Sequence, residues 1–203
     1  MYPPVEQLRS RAGSLVAKFK HGGGPSYVEE AIDLHREALQ LCPPGHPNRS
    51  VPLTWLANDI SDRYNQPGAM QDLDEAIVIV RETLELSPQG HPDRSVPLNN
   101  LAVHLSTRYH QLGAMEDLAE AIVLVREALI LPPQGHSDRS MSLNSLAVHL
   151  GSRYNQLWAM QDLDEAIVLD REALNLRPQG HPDRSTSLNN LASVSPLGTS
   201  SSG

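Results

Sequence analysis

Histidine is the residue type whose frequency first suggests chemistry in this sequence, because neutral imidazole is a common zinc ligand. The chain has nine histidines among 203 residues. Four of them recur once every 45 residues, in the segment Gly-His-Pro-Asn-Arg-Ser or close variants of it: His46, His91, His136 and His181. The ligands of one zinc ion each lie about 2.1 Å from it, whereas residues one structural repeat apart are much farther from each other. We therefore expect no metal site and place these histidines in the loop before a helix.

Nucleophilic catalysis would need a cysteine or serine within hydrogen-bond reach of a base. The single cysteine, Cys42, stands beside Pro43 in a predicted turn and has no cysteine counterpart 45, 90 or 135 residues later. The run Gly22-Gly23-Gly24 has no following Gly-Lys-Ser/Thr and no preceding strand, so it predicts a hairpin turn and not a phosphate-binding loop. The sequence predicts no catalytic residue, no cofactor and no enzymatic activity.

One arginine per repeat stands beside the apolar face of a helix: Arg63, Arg108 and Arg153. These side chains can form a row of donors for an anionic ligand, or each can pair with a carboxylate of the following helix. The candidates for pairing are Asp72 or Glu75 and the equivalent residues. We favour ion pairs, because the arginines recur with the repeat itself.

The repeat has a period of 45 residues throughout. Positions 91–135 and 136–180 are identical at 32 of 45 residues. We expect one repeat domain over 1–193, with repeats at about 1–45, 46–90, 91–135 and 136–180 and a partial repeat at 181–193. Residues 194–203 are rich in Ser and Gly and predict a flexible tail.

Each repeat contains two helical patterns and no alternation typical of strands. In the third repeat, Leu98, Leu101, Ala102, Leu105 and Tyr109 share one face of a first helix that we expect to end at Gly113. A second helix is predicted from about Met115 to Leu131, before Pro132 and Pro133. Its predicted buried residues are Leu118, Ala121, Ile122, Val125, Ala128 and Leu129. The fold class is therefore all-α, with about nine helices: four antiparallel hairpins and one unpaired helix at 183–193.

The spacing of apolar residues resembles the tetratricopeptide repeat. Leu98, Leu101, Ala102 and Leu105 keep the first-helix pattern of that family, and Ala121, Ala128 and Pro133 keep the second-helix pattern. Ala102 and Ala121 are 19 residues apart, where the family has 12, and the extra seven residues are about two helical turns. Four further residues before Leu98 bring the period to 45. The resemblance implies a right-handed α-solenoid of stacked hairpins that binds proteins or peptides.

Two subfamilies share finer features with this sequence. Leu-Asn-Asn-Leu-Ala after His-Pro-Asp resembles the kinesin light chain type of repeat. The 45-residue form with Arg-Tyr-x-Gln resembles arrays in fungal proteins, which often precede a caspase-like CHAT domain. The resemblance leaves two functions open: a scaffold that binds a partner on its concave face, or the regulatory arm or a fragment of a CHAT protease-type protein.

In the tetratricopeptide family, certain first-helix positions face a binding groove. Carried over by register, the groove residues are Thr54, Asn58, Asn99, Val103, Asn144, Val148 and Asn189. The side-chain amides can bind the backbone of an extended peptide, or they can bond within and between helices. We favour the second role for the asparagines, while the groove as a whole remains the predicted site.

Trp158 replaces the turn glycine found at Gly68 and Gly113. It is either an exposed anchor for a partner or a side chain packed on a neighbour, and we favour packing. The final helix has no predicted hairpin partner, so this open end is a candidate surface for self-association.

The formal net charge is -8, and there is no basic cluster. Nucleic acid is therefore not an expected partner, because phosphate binding needs clustered Lys and Arg. No segment has the about 18 apolar residues of a membrane span, and a single cysteine fits a reducing compartment. We expect a cytoplasmic protein whose partners are proteins or peptides, with no membrane contact.

Overall fold

The computed structural model describes residues 3–64, 70–91, 94–131, 137–177, 179–181 and 184–194. These parts of the chain contain α-helices and turns and no strand, so the predicted all-α class is confirmed. Nine helices lie within them: α1 Pro3–Lys20, α2 Ser26–Gln40, α3 Ser50–Tyr64, α4 Met70–Glu85, α5 Ser95–Leu112, α6 Met115–Ile130, α7 Ser137–Leu157, α8 Met160–Asn175 and α9 Arg184–Val194.

The helices form four hairpins, α1–α2, α3–α4, α5–α6 and α7–α8, with α9 packed on α8 and α7. The hairpins are held by the apolar face that the periodicity predicts. All six predicted residues of α6 are buried, and Leu98, Leu101, Ala102, Leu105 and Tyr109 of α5 are buried with them. Full burial of one leucine is worth about 2–3 kcal/mol, so these faces supply much of the stability of each hairpin.

A glycine ends the first helix α5 where the chain reverses. Gly113 has a φ of 72°, in the left-handed region, and its N–H donates to the carbonyl of Tyr109 at 2.7 Å. Glycine adopts this conformation without the steric cost that a Cβ imposes. The predicted turn at Gly22-Gly23-Gly24 is confirmed, since it joins α1 to α2. Glu116 and Asp117 then lie in the first turn of α6, where carboxylates complement the helix dipole.

The chain divides into two compact units at residues 1–89 and 90–203. Unit 1 contains α1 to α4, and unit 2 contains α5 to α9. One continuous repeat domain over 1–193 stays a prediction. The predicted helix stop at Pro132 and Pro133 and the predicted tail from 195 onward lie outside the described residues.

None of the described helices combines the length and the apolar character that crossing a membrane requires.

Candidate protein-binding face

The two asparagines at the centre of the first helices in unit 2 are buried. Asn99 is 4% exposed and Asn144 is 7% exposed. The amide of Asn99 donates to the carbonyl oxygen of Ser95 and to the hydroxyl of Ser142, both at 2.8 Å. The hydroxyl of Ser187 donates to the amide oxygen of Asn144 at 3.3 Å. These bonds join α5 to α7 and α7 to α9, so the two asparagines have the structural role that the sequence left as an alternative.

An apolar stripe lies on the exposed side of the same helices. We call it the first-helix stripe and define it by Val96, Val103, Met141 and Val148. Their exposed fractions are 42%, 47%, 46% and 43% respectively. Each helix contributes two residues seven positions apart, which is nearly two helical turns and puts them on one face. The half-buried residues between them, Asn100 and Ser145, are uncharged. Val103 and Val148 are thus surface residues, as the groove prediction requires.

The other predicted groove residues lie partly or fully at the surface. Asn58 and Asn189 are exposed, whereas Thr54 is half-buried and its hydroxyl donates to the carbonyl of Ser50 at 2.9 Å. In unit 1, Trp55 occupies the position equivalent to Asn100, which lies between the stripe residues of α5. Its ring lies 5.4 Å from the ring of His35 and 5.2 Å from the guanidinium of Arg9. Ligand contact by any of the seven groove residues stays a prediction.

The ion pairs predicted for the recurring arginines are confirmed. Each arginine donates two parallel bonds to an aspartate nine residues later, and all six donor–acceptor distances lie between 2.6 and 2.8 Å. The three pairs are Arg63–Asp72, Arg108–Asp117 and Arg153–Asp162. Each aspartate is buried, so each pair ties the end of a first helix to the start of the second.

These bonds shift the pKa of Arg63, Arg153 and Asp162. The hydrogen bond to Asp72 raises the pKa of Arg63, and the bond to Asp162 does the same for the pKa of Arg153. The hydrogen bond from Arg153 lowers the pKa of Asp162. The arginines are therefore charged and engaged, and an external anion would have to displace the aspartates to bind them.

A second set of ion pairs escaped the sequence analysis. The arginine of the recurring His-x-x-Arg-Ser segment binds a glutamate 33 residues later, in the second helix of the same hairpin. The pairs are Arg49–Glu82, Arg94–Glu127 and Arg139–Glu172, at 2.7, 2.8 and 3.1 Å. A fixed separation of 33 residues between arginine and glutamate in the three repeats from 46 to 180 was the signal available in the sequence.

The same arginines also satisfy carbonyl groups at the ends of the preceding second helices. Arg139 donates to the carbonyl of Leu129 at 2.8 Å, and Arg184 donates to that of Leu174 at 3.2 Å. Cations at helix C-termini are stabilising because they complement free carbonyls and the helix dipole. In unit 2, the arginine of the His-x-x-Arg-Ser segment therefore connects a first helix to the second helix that precedes it.

The described histidines of that segment lie in loops, as predicted. The ring Nδ1 of His46 accepts a hydrogen bond from the backbone N–H of Asn48 at 3.1 Å. Among the described residues, no three His, Cys, Asp or Glu side chains come together in a way that can hold a metal ion. Cys42 is buried and is a free thiol.

Buried titratable residues occupy two equivalent positions, one on the second helix and one on the next first helix. In unit 1, the ring Nδ1 of His35 lies 2.6 Å from the carboxylate of Asp59. In unit 2, burial lowers the pKa of His149 to about 4 and raises the pKa of Asp170 to about 6. Among the described residues, neither His149 nor Asp170 makes a side-chain hydrogen bond. Asp170 replaces the buried Val80 and Val125 of earlier repeats.

Trp158 is exposed, so the interpretation that it packs on a neighbour is not what the structure shows. Its exposed fraction is 74%, and its main contact is an edge-on approach to the ring of Tyr154 at 5.7 Å. Its φ is 54°, which makes it the non-glycine residue with a positive φ among those described. At the end of unit 2, Leu188 of α9 is 47% exposed, whereas the equivalent Leu53, Leu98 and Leu143 are buried. Self-association through this helix stays a prediction.

Solved structures with the same architecture decide the fold. One match is the crystal structure of a Podosopora anserina putative kinesin light chain with nearly identical TPR-like repeats. The match covers 96% of this chain and 87% of the Podosopora anserina chain. The TM-score is 0.64 and the sequence identity is 20%. This chain has the TPR-like repeat fold. The resemblance inferred from the 45-residue period is thereby confirmed at the level of the fold.

Two further solved structures match most of the chain. BtubC (BKLC) from P. vanneervenii matches with a TM-score of 0.61 at 19% identity, over 94% of this chain and 81% of that protein. The MamA RS-1 ArsTM double mutant matches with a TM-score of 0.57 at 12% identity, over 99% of both chains. No protein-family model matches the sequence, and no curated protein sequence matches it. The TPR-like fold is thus established by structure, while the fungal-array and CHAT resemblances stay predictions.

Proposed function

We propose that this chain is a protein-interaction scaffold that binds a peptide or protein segment along the first-helix stripe. The observation that carries the proposal is the exposure of Val96, Val103, Met141 and Val148 on one face of α5 and α7. Aliphatic side chains at the surface, set among uncharged polar residues, form the type of surface that protein partners cover. The fold supports the proposal, because TPR-like arrays present consecutive first helices side by side.

The chemistry of the stripe indicates the kind of segment that fits it. Asn100 and Ser145 lie between the aliphatic residues and offer hydrogen-bond donors and acceptors without net charge. An uncharged segment with aliphatic side chains at regular spacing would complement this face. The recurring arginines are engaged with their aspartates, so an acidic ligand is not favoured.

Site-specific photo-cross-linking tests the proposal in the cell from which the chain comes. Benzoyl-phenylalanine at position 103 or 148 should form an adduct with a partner, because both positions are exposed and central to the stripe. The same amino acid at position 123 or 168 is the matched control, since Val123 and Val168 are 64% and 61% exposed on the second helices. Adducts at all four positions, or at the second-helix positions alone, would contradict the proposal.

A pair of charge substitutions then tests whether the stripe contributes affinity. Val103→Glu with Val148→Glu should weaken binding of the cross-linked partner by about tenfold or more, because a charge would be buried in an apolar contact. Val123→Glu with Val168→Glu adds the same charge and should leave the affinity within about twofold. Equal losses for the two double variants would show that net charge and not the stripe controls binding.

A further inference from the structure

The tips of the two hairpins in unit 2 carry a group of large exposed apolar side chains. We call this the hairpin-tip patch and define it by Leu112, Leu157, Trp158 and Met160. Their exposed fractions are 59%, 59%, 74% and 57%. The patch lies where first helices end and second helices begin, so it is separate from the first-helix stripe, whose residues lie along the bodies of α5 and α7.

A cleft lies at the same end of the hairpins. It is lined by Tyr109, His110, Gly113 and Met115 of one hairpin and by Gln156 of the next. Tyr109 is buried and forms part of its apolar lining. Residues from both hairpins line this cleft, so the two tips are neighbours.

The backbone at Trp158 adds an independent argument. Gly113 occupies the equivalent turn position with a φ of 72°, and Trp158 keeps the same left-handed conformation with a φ of 54°. A bulky L-residue in this region is strained. Because the ring of Trp158 is mostly exposed, its burial contributes little stability to offset that strain. Strain held at an exposed position points to a use of the side chain outside folding.

The charged residues beside the hairpin-tip patch indicate which kind of partner fits it. Glu116 and Asp164 are exposed, and neither makes an ion pair among the described residues. The nearest arginines, Arg108 and Arg153, are paired with Asp117 and Asp162. The exposed charge of the rim is therefore negative. A second copy of the chain would bring the same carboxylates against each other, and an anionic lipid surface would meet them with like charge.

We infer that the hairpin-tip patch docks a basic amphipathic helix of another protein, with its apolar side chains against Trp158 and the cleft and its Lys or Arg residues beside Glu116 and Asp164. Stacked hairpins lie about 10 Å apart, and residues i and i+7 of a helix lie about 10.5 Å apart along its axis. One helix face can therefore contact both tips. The site goes beyond the proposed use of the first-helix stripe.

The first test uses Trp158 itself as the reporter. In a Trp55→Phe background, Trp158 is the sole tryptophan and its emission reports its own burial. The probe is a synthetic 14-residue peptide with Leu at i, i+3, i+4 and i+7 and Lys elsewhere, and the control peptide has Glu in place of Lys. We expect saturable binding with a blue-shifted emission for the Lys peptide and at least about tenfold weaker binding for the Glu peptide. Equal affinity for the two peptides would overturn the proposal.

Variants separate the patch from general attraction of a basic peptide to an acidic chain. Trp158→Gly restores the residue type of Gly113, so it should fold, and it should weaken binding of the fluorescently labelled Lys peptide by about tenfold or more. Ile130→Ser is the matched control, because Ile130 is 79% exposed at the opposite end of its hairpin. Retention of full affinity in Trp158→Gly would overturn the proposal.

Charge reversals complete the test. Glu116→Lys with Asp164→Lys should weaken binding, whereas Asp33→Lys with Glu85→Lys in unit 1 makes the same change in net charge and should have a smaller effect. Equal effects would overturn the proposal. Phosphatidylcholine vesicles that shift the Trp158 emission as strongly as the peptide would instead identify a lipid site. Concentration-dependent dimers that Trp158→Gly abolishes would identify a second copy as the occupant.

Discussion

The α5–α6 and α7–α8 hairpins of unit 2 have closely similar sequences and the same kinds of ion pair, yet their differences include one core position of the second helix and one turn position. Both contain the two-bond arginine–aspartate pair that joins the end of the first helix to the start of the second, with nearly equal distances. The first hairpin has Val125 in its core and Gly113 in its turn. The second has Asp170 and Trp158 at those places, both in the same backbone geometry.

The comparison shows that the repeat backbone tolerates unfavourable residues when its ion pairs and apolar faces are intact. Asp170 is a carboxylate at a position where the two preceding hairpins have valine. Trp158 is a bulky residue at the position of Gly113. Both hairpins nevertheless keep the same arginine–aspartate pair. Substitutions in the two hairpins, including exchanges of equivalent residues, measure how much each of these residues contributes to the free energy of unfolding.

The shared ion pairs should give the largest effects and should affect both hairpins equally. We expect Arg108→Ala and Arg153→Ala each to lower the free energy of unfolding by about 3 kcal/mol at pH 7, since each leaves a buried aspartate without its partner. Urea denaturation followed by circular dichroism measures the loss. A much smaller loss for one variant would show that the two hairpins are not held alike.

The Arg153 effect should also depend on pH. The pKa of Asp162 is held below its ordinary value of 3.8, so the stabilisation is present above that pH and is lost as the pH falls through the native pKa. The difference between wild type and Arg153→Ala should therefore be constant near neutrality and should shrink below pH 3.8. A difference that stays the same at low pH would indicate packing of the arginine stem and not the charge.

Exchange of Val125 and Asp170 should give opposite effects in the two hairpins. We expect Asp170→Val to raise the free energy of unfolding by about 2 kcal/mol at pH 7, and Val125→Asp to lower it by about 3 kcal/mol, because a carboxylate is costly to bury without partners. Asp170→Asn is the control that removes the charge and keeps the polar group, and its effect should lie between wild type and Asp170→Val.

The pH dependence of Asp170→Val has the opposite sign to that of Arg153→Ala. The native pKa of Asp170 is raised to about 6, so between the ordinary carboxyl pKa and pH 6 the native state binds more protons than the unfolded state. Stability contributed by this site therefore falls as the pH rises through that window. The gain from Asp170→Val should be largest near pH 7 and smallest near pH 4.

The buried asparagines should give intermediate effects. We expect Asn99→Ala to cost about 1–2 kcal/mol, because it leaves the hydroxyl of Ser142 without its donor in a buried site. Asn144→Ala should cost less, since its bond to Ser187 is longer, at 3.3 Å against 2.8 Å. Val103→Ala on the exposed stripe should change stability by less than about 0.5 kcal/mol. Equal values for Asn99 and Val103 would contradict the structural role of the asparagine.

The turn residues should give the smallest effects. Trp158→Gly relieves the strain of the left-handed conformation but raises the entropy of the unfolded chain, so we expect stability to change by no more than about 1 kcal/mol in either direction. Gly113→Ala introduces a Cβ at a φ of 72° and should cost about 1 kcal/mol. Thermal midpoints of the two variants measured side by side test this; a large loss for Trp158→Gly would mean that the indole supports the fold.

By itself, the sequence determined the helices and their hairpin pairing, and it limited the partner of each recurring arginine to an aspartate or a glutamate of the second helix. Periodicity of 3.6 residues assigns side chains to a helix face, and the partners in Arg153–Asp162 are only nine residues apart, across a single turn. The apolar part of the buried face of α6 was predicted for the same reason, since it depends on local pattern and on one neighbouring helix, whereas the burial of Asp117 was not predicted.

Only the tertiary structure decided which first-helix residues are exposed. A first helix packs on its own hairpin partner and also on the next first helix, so a second strip of its surface is covered. Asn99 and Asn144 lie in that strip, whereas Val103 and Val148 lie outside it, although their polarity alone suggests the reverse. The absence of a hydrogen-bond partner for Asp170 among the described residues and the exposure of Trp158 likewise depend on neighbouring helices. Helical periodicity does not predict where those helices lie.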